Sequence, residues 1–433
     1  MKQHIAVISD HASPLASPGG VNSGGQNVYV AQIARHLAAR GHHVDIYTRR
    51  DDPEQPEVYR WKDRIRVIHV PAGPPRHVDK EELMDYMPQF TSFIISFIMM
   101  HEISYDVVHA NFWMSGMVAL DIKDAFNIPF VITFHALGRI RRIHQDSADR
   151  FPNQRQEIEE LLARKADRIL TACPQDEEDL LNHYGAHPSR FVMVPCGFDP
   201  TEMRRVNKLW ARWSLRLPLH EFIAVQVGRM VPRKGVDNAI RGFARFRKQS
   251  GARARLLVVG GESCSPDPAL TPEIGRLQEV AREEEADNSV IFTGRRSREA
   301  LRYYYSAADV FITTPWYEPF GITPLEAMAC GAVVVASDVG GLKYTVRHGE
   351  TGYLVPPHHP NALAERLAFL WRYPRRRRKL AEAGEQRVYE HFRWDQIARS
   401  LEAVYGDVAH PRALRTEKEN IIYTNKTAVS PVG

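Results

Sequence analysis

Short apolar runs rich in β-branched residues recur along this chain, and amphipathic stretches separate most of them. Residues 5–8, 44–47, 65–70, 107–109, 130–133, 168–171 and 191–194 are nearly continuous in apolar character. That is the pattern of strands buried on both faces of a sheet. Helical periodicity fills intervals such as 26–40 and 158–166. The short interval before residue 65 leaves that connection open. A second series begins at 222–227 and continues through 256–259, 290–292, 310–312 and 333–335. The alternation predicts an α/β protein of two doubly wound, Rossmann-like domains, whose ligands lie at the carboxyl ends of the strands. Between the series lies a polar stretch, 200–220, containing Trp210 and Trp213. It places the boundary between a first domain, 1–200, and a second, 201–393. From residue 409 to 433 periodicity is lost, and an unstructured tail is expected. The most apolar stretch, 90–100, is too short to span a bilayer and reads as a buried helix.

The chain has 433 residues, enough for two cores. Its formal net charge of +5 permits an anionic small molecule or a peripheral membrane contact and requires neither. No basic stripe with interleaved aromatics appears, so nucleic acid is not an expected partner. The densest basic cluster, Arg375 to Lys379, precedes helix-like sequence and reads as a solvated helix face. Cys173, Cys196, Cys264 and Cys330 have neither metal nor redox spacing. With no secretory leader pattern at the start, a cytoplasmic, reducing compartment is expected. The sequence leaves the oligomeric state open.

Candidate chemistry concentrates after strands. Glu318-Pro-Phe320-Gly321-Ile322-Thr323-Pro-Leu325-Glu326 places two carboxylates around a helix start. Thr323-Pro324 reads as a capping hydroxyl followed by proline at the first helical position. The helix N-terminus suits a phosphate, and the carboxylates suit sugar hydroxyls. Arg229 and Lys234 follow the strand at 222–227 and could neutralise a diphosphate. Gly19, Gly20, Gly24 and Gly25 follow the first strand and open a helix, which allows close backbone approach to a ligand. The cluster is neither a Walker A loop nor G-x-G-x-x-G. His135 ends the strand at 130–133, and His109 ends the one at 107–109 with a weaker claim. Lys80, Arg139, Arg141, Arg142 and Arg155 form a scattered basic set able to hold an anionic acceptor.

Five segments occur in the order of a known family: Gly24-Gly-Gln26-Asn-Val-Tyr29, Thr133-Phe-His-Ala-Leu-Gly138, Val194-Pro-Cys-Gly-Phe-Asp199, Gly228-Arg followed by Lys234-Gly235, and Glu318 and Glu326 with seven residues between them. The chain resembles the retaining glycosyltransferases of family four, which have the GT-B fold of two Rossmann-like domains facing a central cleft. The resemblance covers about residues 4–406. It implies a nucleotide-sugar donor, most often UDP-linked, held mainly by the second domain. Arg229 and Lys234 match the diphosphate pair, Glu318 the sugar contact and Glu326 the ribose contact. The backbone from Phe320 to Leu325 would hold sugar and phosphate oxygens. Gly24 and Gly25 match the loop over the diphosphate, and His135 a histidine beside the transferred sugar. The last helix, about 394–408, is expected to cross back onto the first domain. No Asp-x-Asp motif stands in a suitable loop, and no obligatory metal or other cofactor is expected.

The opening segment and the positions of Lys80 and Arg155 resemble the inositol-phosphate N-acetylglucosaminyltransferases of mycothiol synthesis. Phe112 and Ala136 stand where that group has tyrosine and threonine. Gln26 and the segment His135 to Gly138 are similar instead to sucrose-phosphate synthase. Both resemblances imply UDP-glucose or UDP-N-acetylglucosamine as donor and a phosphorylated acceptor, held by Gln26, Lys80, Arg142 and Arg155. Two other readings stay open: a nucleotide-sugar-binding or epimerising protein on the same frame, and a membrane-surface transferase with a lipid acceptor.

Overall fold

The computed structural model describes residues 2–16, 24–145 and 150–410. Among them the chain forms two sheets. The first holds β1 (His4–Ile8), β2 (His43–Arg49), β3 (Val58–Lys62), β4 (Ile65–Val70), β5 (Val107–Asn111), β6 (Phe130–Thr133), β7 (Arg168–Thr171) and β8 (Phe191–Met193). Their order is β3-β4-β2-β1-β5-β6-β7-β8. The second holds β9 (Phe222–Val227), β10 (Ala254–Val259), β11 (Val290–Gly294), β12 (Val310–Thr313), β13 (Val333–Ser337) and β14 (Gly352–Val355), in the order β11-β10-β9-β12-β13-β14. Every neighbouring pair is parallel except β3 with β4. The strand order reverses beside β1 in one sheet and beside β9 in the other, which places ligand crevices at those carboxyl ends.

Helices cover both sheets. On the first lie α1 (Gly25–Ala39), α2 (Met87–Met100), α3 (Trp113–Phe126), α4 (Gly138–Gln145), α5 (Gln154–Lys165) and α6 (Pro174–Tyr184). With the second go α7 (Lys208–Ser214), α8 (Val236–Ser250), α9 (Pro272–Glu283), α10 (Arg298–Ala307), α11 (Ile322–Ala329), α12 (Leu342–Thr345), α13 (Pro360–Arg372) and α14 (Pro374–His391). The final helix, α15 (Trp394–Ala409), packs on α1. Its Tyr405 hydroxyl lies 2.7 Å from His109 Nδ1, and Glu402 pairs with Arg40 and His42. The chain crosses between the sheets twice, and the two crossings are bonded: Phe198 N donates to Phe392 O at 2.8 Å, and Trp394 N to Phe198 O at 3.1 Å.

Two strands and one helix start differ from the sequence pattern. The open connection before residue 65 is a hairpin: β3 runs antiparallel to β4 through a turn with Arg64 at φ +60°. β3 is an exposed edge strand and carries no continuous apolar run. β14 is a four-residue parallel edge strand, too short to register as a run. Thr323 does not cap α11. Gly321, at φ +93°, is the N-cap, and Pro324 falls at the third helical position, where its missing N–H is still unneeded. The tail expected to lack structure lies, from residue 411, outside the described residues, as do Gly19 and Gly20. The stretch 90–100 is a helix against the first core, with Phe90, Ile94 and Phe97 buried. No helix of the described residues is long and apolar enough to cross a membrane.

Candidate active site in the interdomain cleft

The carboxyl edges of the two sheets enclose a cavity of about 550 Å³. Gly24, Gly25, Gln26, Lys80 and His135 reach it from the first domain, and Arg229, Glu318, Phe320, Gly321 and Ile322 from the second. The loops meet across it. A Cβ placed on Gly24 would lie 3.5 Å from Arg229 Nε, and one on Gly25 would lie 3.8 Å from the Ile322 side chain. Asn27 fixes this turn by accepting from Gly24 N at 2.9 Å and donating to Ser13 O at 3.0 Å. Gln26 donates to Asn111 O at 3.2 Å and Ser9 Oγ at 3.3 Å.

Lys234 sits just behind the cavity and ion-pairs with Glu318. Both groups are largely buried. Burial pushes the Glu318 carboxyl up, but Lys234, Arg233 and Arg229 more than offset this and hold it below its ordinary range. Burial holds the Lys234 ammonium below its own. Two glycines set this geometry. Gly235 has φ +60°, and a Cβ there would stand 1.9 Å from Thr314 O. Gly341 donates to Glu318 O at 3.1 Å, and a Cβ there would stand 2.3 Å from Pro319 O. Only glycine lets these turns close against the Glu318 loop.

Glu326 does not line the cavity. It is 2% exposed, one carboxylate oxygen 2.9 Å from Arg298 Nη2 and the other 3.1 Å from the Tyr305 hydroxyl. Arg298 Nε donates in turn to Glu202 at 3.0 Å, and Glu202 accepts from Arg35 at 2.6 Å and Gln32 at 3.2 Å on α1. A chain of ion pairs thus runs from Glu326 through the domain junction to the helix that opens at Gly25. Thr323 and Leu325 also stay off the cavity wall, and Leu325 is fully buried in the core.

His135 stands two residues beyond β6 with φ +59°, its Nε2 3.0 Å from Asn111 Oδ1. Asn111 Nδ2 donates to Ile8 O and His109 O, so Oδ1 accepts and the imidazole proton sits on Nε2. Burial pushes the His135 pKa down to about 3, keeping the ring neutral with Nδ1 as acceptor. His109 is fully buried between Tyr405 and Thr133, a structural position.

The basic set divides. Arg142 and Arg155 do not line the cavity, and Arg141, one residue along α4, does. Arg155 is 1% exposed, 2.7 Å from Glu159, with Nη2 donating to Ala136 O at 2.6 Å and its guanidinium over Phe112 and Phe151. Arg139 is held by His183 O, Glu160 and the Tyr184 ring. Sequence reasoning missed Arg233, Asp176, Arg150 and Trp316, which also line the cavity. Asp176 follows β7 at the same sheet edge as His135, a positional signal that could have found it. Burial pushes its carboxyl up to about 7. The wall carries five cations, Lys80, Arg141, Arg150, Arg229 and Arg233, against four carboxyl groups, Asp79, Glu81, Asp176 and Glu318. Burial pushes Lys80 down to about 8, with Arg141, Arg229 and Arg233 adding repulsion against the pull of Glu81. Burial likewise takes Arg229 down to about 10, with Arg233 adding to it. Cations from both domains therefore sit within electrostatic reach around one space.

Two parallel-sheet α/β domains around such a cleft are the GT-B architecture. The family described as glycosyl transferases group 1 matches residues 209–387, and the glycosyl transferase 4-like domain matches 24–197. The chain belongs to this glycosyltransferase family and is an enzyme that uses a nucleotide sugar. The D-inositol 3-phosphate glycosyltransferase of Corynebacterium diphtheriae is 36% identical over 416 residues, covering 94% of this chain and 96% of that protein. The protein of the same name from Actinosynnema mirum is 36% identical over 412 residues, 93% and 97% of the two chains. Among solved structures, sucrose-phosphate synthase from Thermosynechococcus elongatus superposes with a TM-score of 0.86 at 35% identity, covering 93% of this chain and 98% of that one. The Anabaena HepE complex with UDP and glucose has a TM-score of 0.73 at 18% identity, covering 94% and 100%, a likeness of fold.

Proposed function

We propose that this enzyme moves a hexosyl group, with retention, from UDP-glucose or UDP-N-acetylglucosamine to a small phosphorylated acceptor. The observation that carries the proposal is the convergence of Lys80 and Arg141 from one domain with Arg229 and Arg233 from the other on a single cavity. Such a cluster favours two anions: a diphosphate on one side and an acceptor phosphate on the other. We take residues 1–200 as the acceptor domain and 201–393 as the donor domain. Arg229, Lys234 and the first turn of α11, with Phe320, Gly321 and Ile322, hold the diphosphate and stabilise its charge as the glycosidic bond breaks. Glu318, tied to Lys234, contacts sugar hydroxyls and is no nucleophile. His135 Nδ1 accepts from a sugar hydroxyl. The acceptor hydroxyl attacks from the face of the leaving group, and its proton passes to the departing phosphate oxygen. No metal is needed for these steps. Gln26, Lys80 and Arg141 hold the acceptor.

The names of the relatives carry two phosphate esters, D-inositol 3-phosphate and sucrose phosphate, which supports a phosphorylated acceptor. Phe112, next to His11 at 4.9 Å, gives the acceptor side an apolar wall. A screen of UDP release with paired donors and phosphorylated acceptors tests the reading, with the anomeric configuration of the product read by NMR. The expected result is acceptor-dependent UDP release and an α-linked product from an α-linked donor. Inversion, or release that ignores the acceptor phosphate, contradicts it.

A further inference from the structure

The edge of the second sheet where strands begin lies opposite the cleft, because Arg229 follows the end of β9 and Glu318 the end of β12. That far edge carries an unusual surface. Trp210 and Trp213 on α7 are 53% and 65% exposed and stack on each other, their ring centroids 4.9 Å apart at 26°. Leu209 and Leu219 beside them are exposed too. Single exposed apolar residues are ordinary, but a stacked tryptophan pair with neighbouring leucines is a patch.

The patch continues to the start of α14. Asp309, just before β12, binds Lys208 at 3.0 Å, Arg212 at 2.6 Å and Arg377 at 3.3 Å. This one carboxylate ties α7 to the basic run 375–379. Arg377 also lies over the Phe222 ring at 5.3 Å. Phe222 packs on Phe246, and Phe246 on the exposed Trp371, at centroid distances of 5.5 and 6.3 Å. Tyr373, between α13 and α14, is exposed as well. Arg375, Arg378 and Lys379 stand exposed at the head of α14, and three cations already outnumber Asp309.

We propose that this face docks on an anionic lipid surface. Indole rings settle at the headgroup level of a bilayer, and Arg and Lys are drawn to acidic headgroups. A protein partner could take the same tryptophans and arginines, but it would have to supply carboxylates opposite Arg375, Arg378 and Lys379, whereas an acidic headgroup surface presents anions everywhere along this face. Docked this way, the molecule turns its cleft toward water. The contact localises the enzyme and leaves a soluble acceptor in the cleft.

Vesicles of phosphatidylcholine, alone or mixed with phosphatidylglycerol, test the proposal on the full chain. The protein should sediment with the mixed vesicles only, and less so in high salt. Brominated phosphatidylglycerol should quench its tryptophan fluorescence, a readout that needs no variant. Arg375→Gln, Arg378→Gln and Lys379→Gln together should weaken partitioning about a hundredfold, at roughly fivefold per charge. Trp210→Ser with Trp213→Ser should cut the quenching by more than half, leaving Trp371 as the remaining indole on this face, and both variants should keep lipid-free UDP release. Failure of the wild type to sediment with mixed vesicles, absence of quenching, or variants that partition like the wild type would each overturn the proposal.

Discussion

Lys80 shows how much one residue in the cleft can report. Burial and Arg141 bring its pKa to about 8, so in the free enzyme its charge is present below that pH and lost above it. An acceptor phosphate is already ionised there. Between pH 7 and 9 the protonated fraction falls about tenfold, and the acceptor KM should rise by about the same factor. Lys80→Arg should flatten the rise. A KM that stays level in the wild type would show that Lys80 does not hold the acceptor. The exchange of Arg142 for Arg141 belongs to this scale too. Consecutive helical residues point about 100° apart, and a run of basic residues does not say which one faces the cavity.

At the scale of elements, α5 holds the His135 loop in place. Its Arg155 and Glu159 form a buried i,i+4 pair. Arg155 donates to Ala136 O, and Glu159 accepts from Gly138 N at 2.8 Å and the Tyr184 hydroxyl at 2.7 Å. Arg155→Ala strands a buried carboxylate and should cost about 3–5 kcal/mol of stability in urea unfolding. A loss under about 1 kcal/mol would instead point to a solvated, ligand-facing Arg155. Most elements were legible beforehand, because parallel strands buried on both faces, such as β5 and β13, read as continuous apolar runs. β3 was hidden by its exposed polar residues, and the α11 cap by a glycine whose positive φ no pattern reveals.

Across the whole molecule, the site is an interdomain property. Gly24 meets Arg229, Cys173 Sγ lies 3.5 Å from Pro319 O, and Lys343 Nζ donates to Gln175 Oε1 at 3.2 Å. The ion-pair chain from Glu326 to Arg35 joins residues 291 apart in sequence, and its links Arg298 and Glu202 carry no local motif. Motif order made the donor half readable, since its groups follow β9 and β12 in short segments. The acceptor half draws on Lys80, the His135 loop and α4, which only folding brings together. The central claim is a division of labour: the second domain binds the nucleotide diphosphate and the first binds the acceptor. Isothermal titration of UDP into the wild type, Lys234→Ala, Arg229→Ala and Lys80→Ala tests it most directly. The account predicts tenfold or greater loss of affinity in the first two variants, and a value within about twofold of wild type for Lys80→Ala, a loss of 1.4 kcal/mol being tenfold. Undiminished UDP binding in Lys234→Ala and Arg229→Ala would contradict it.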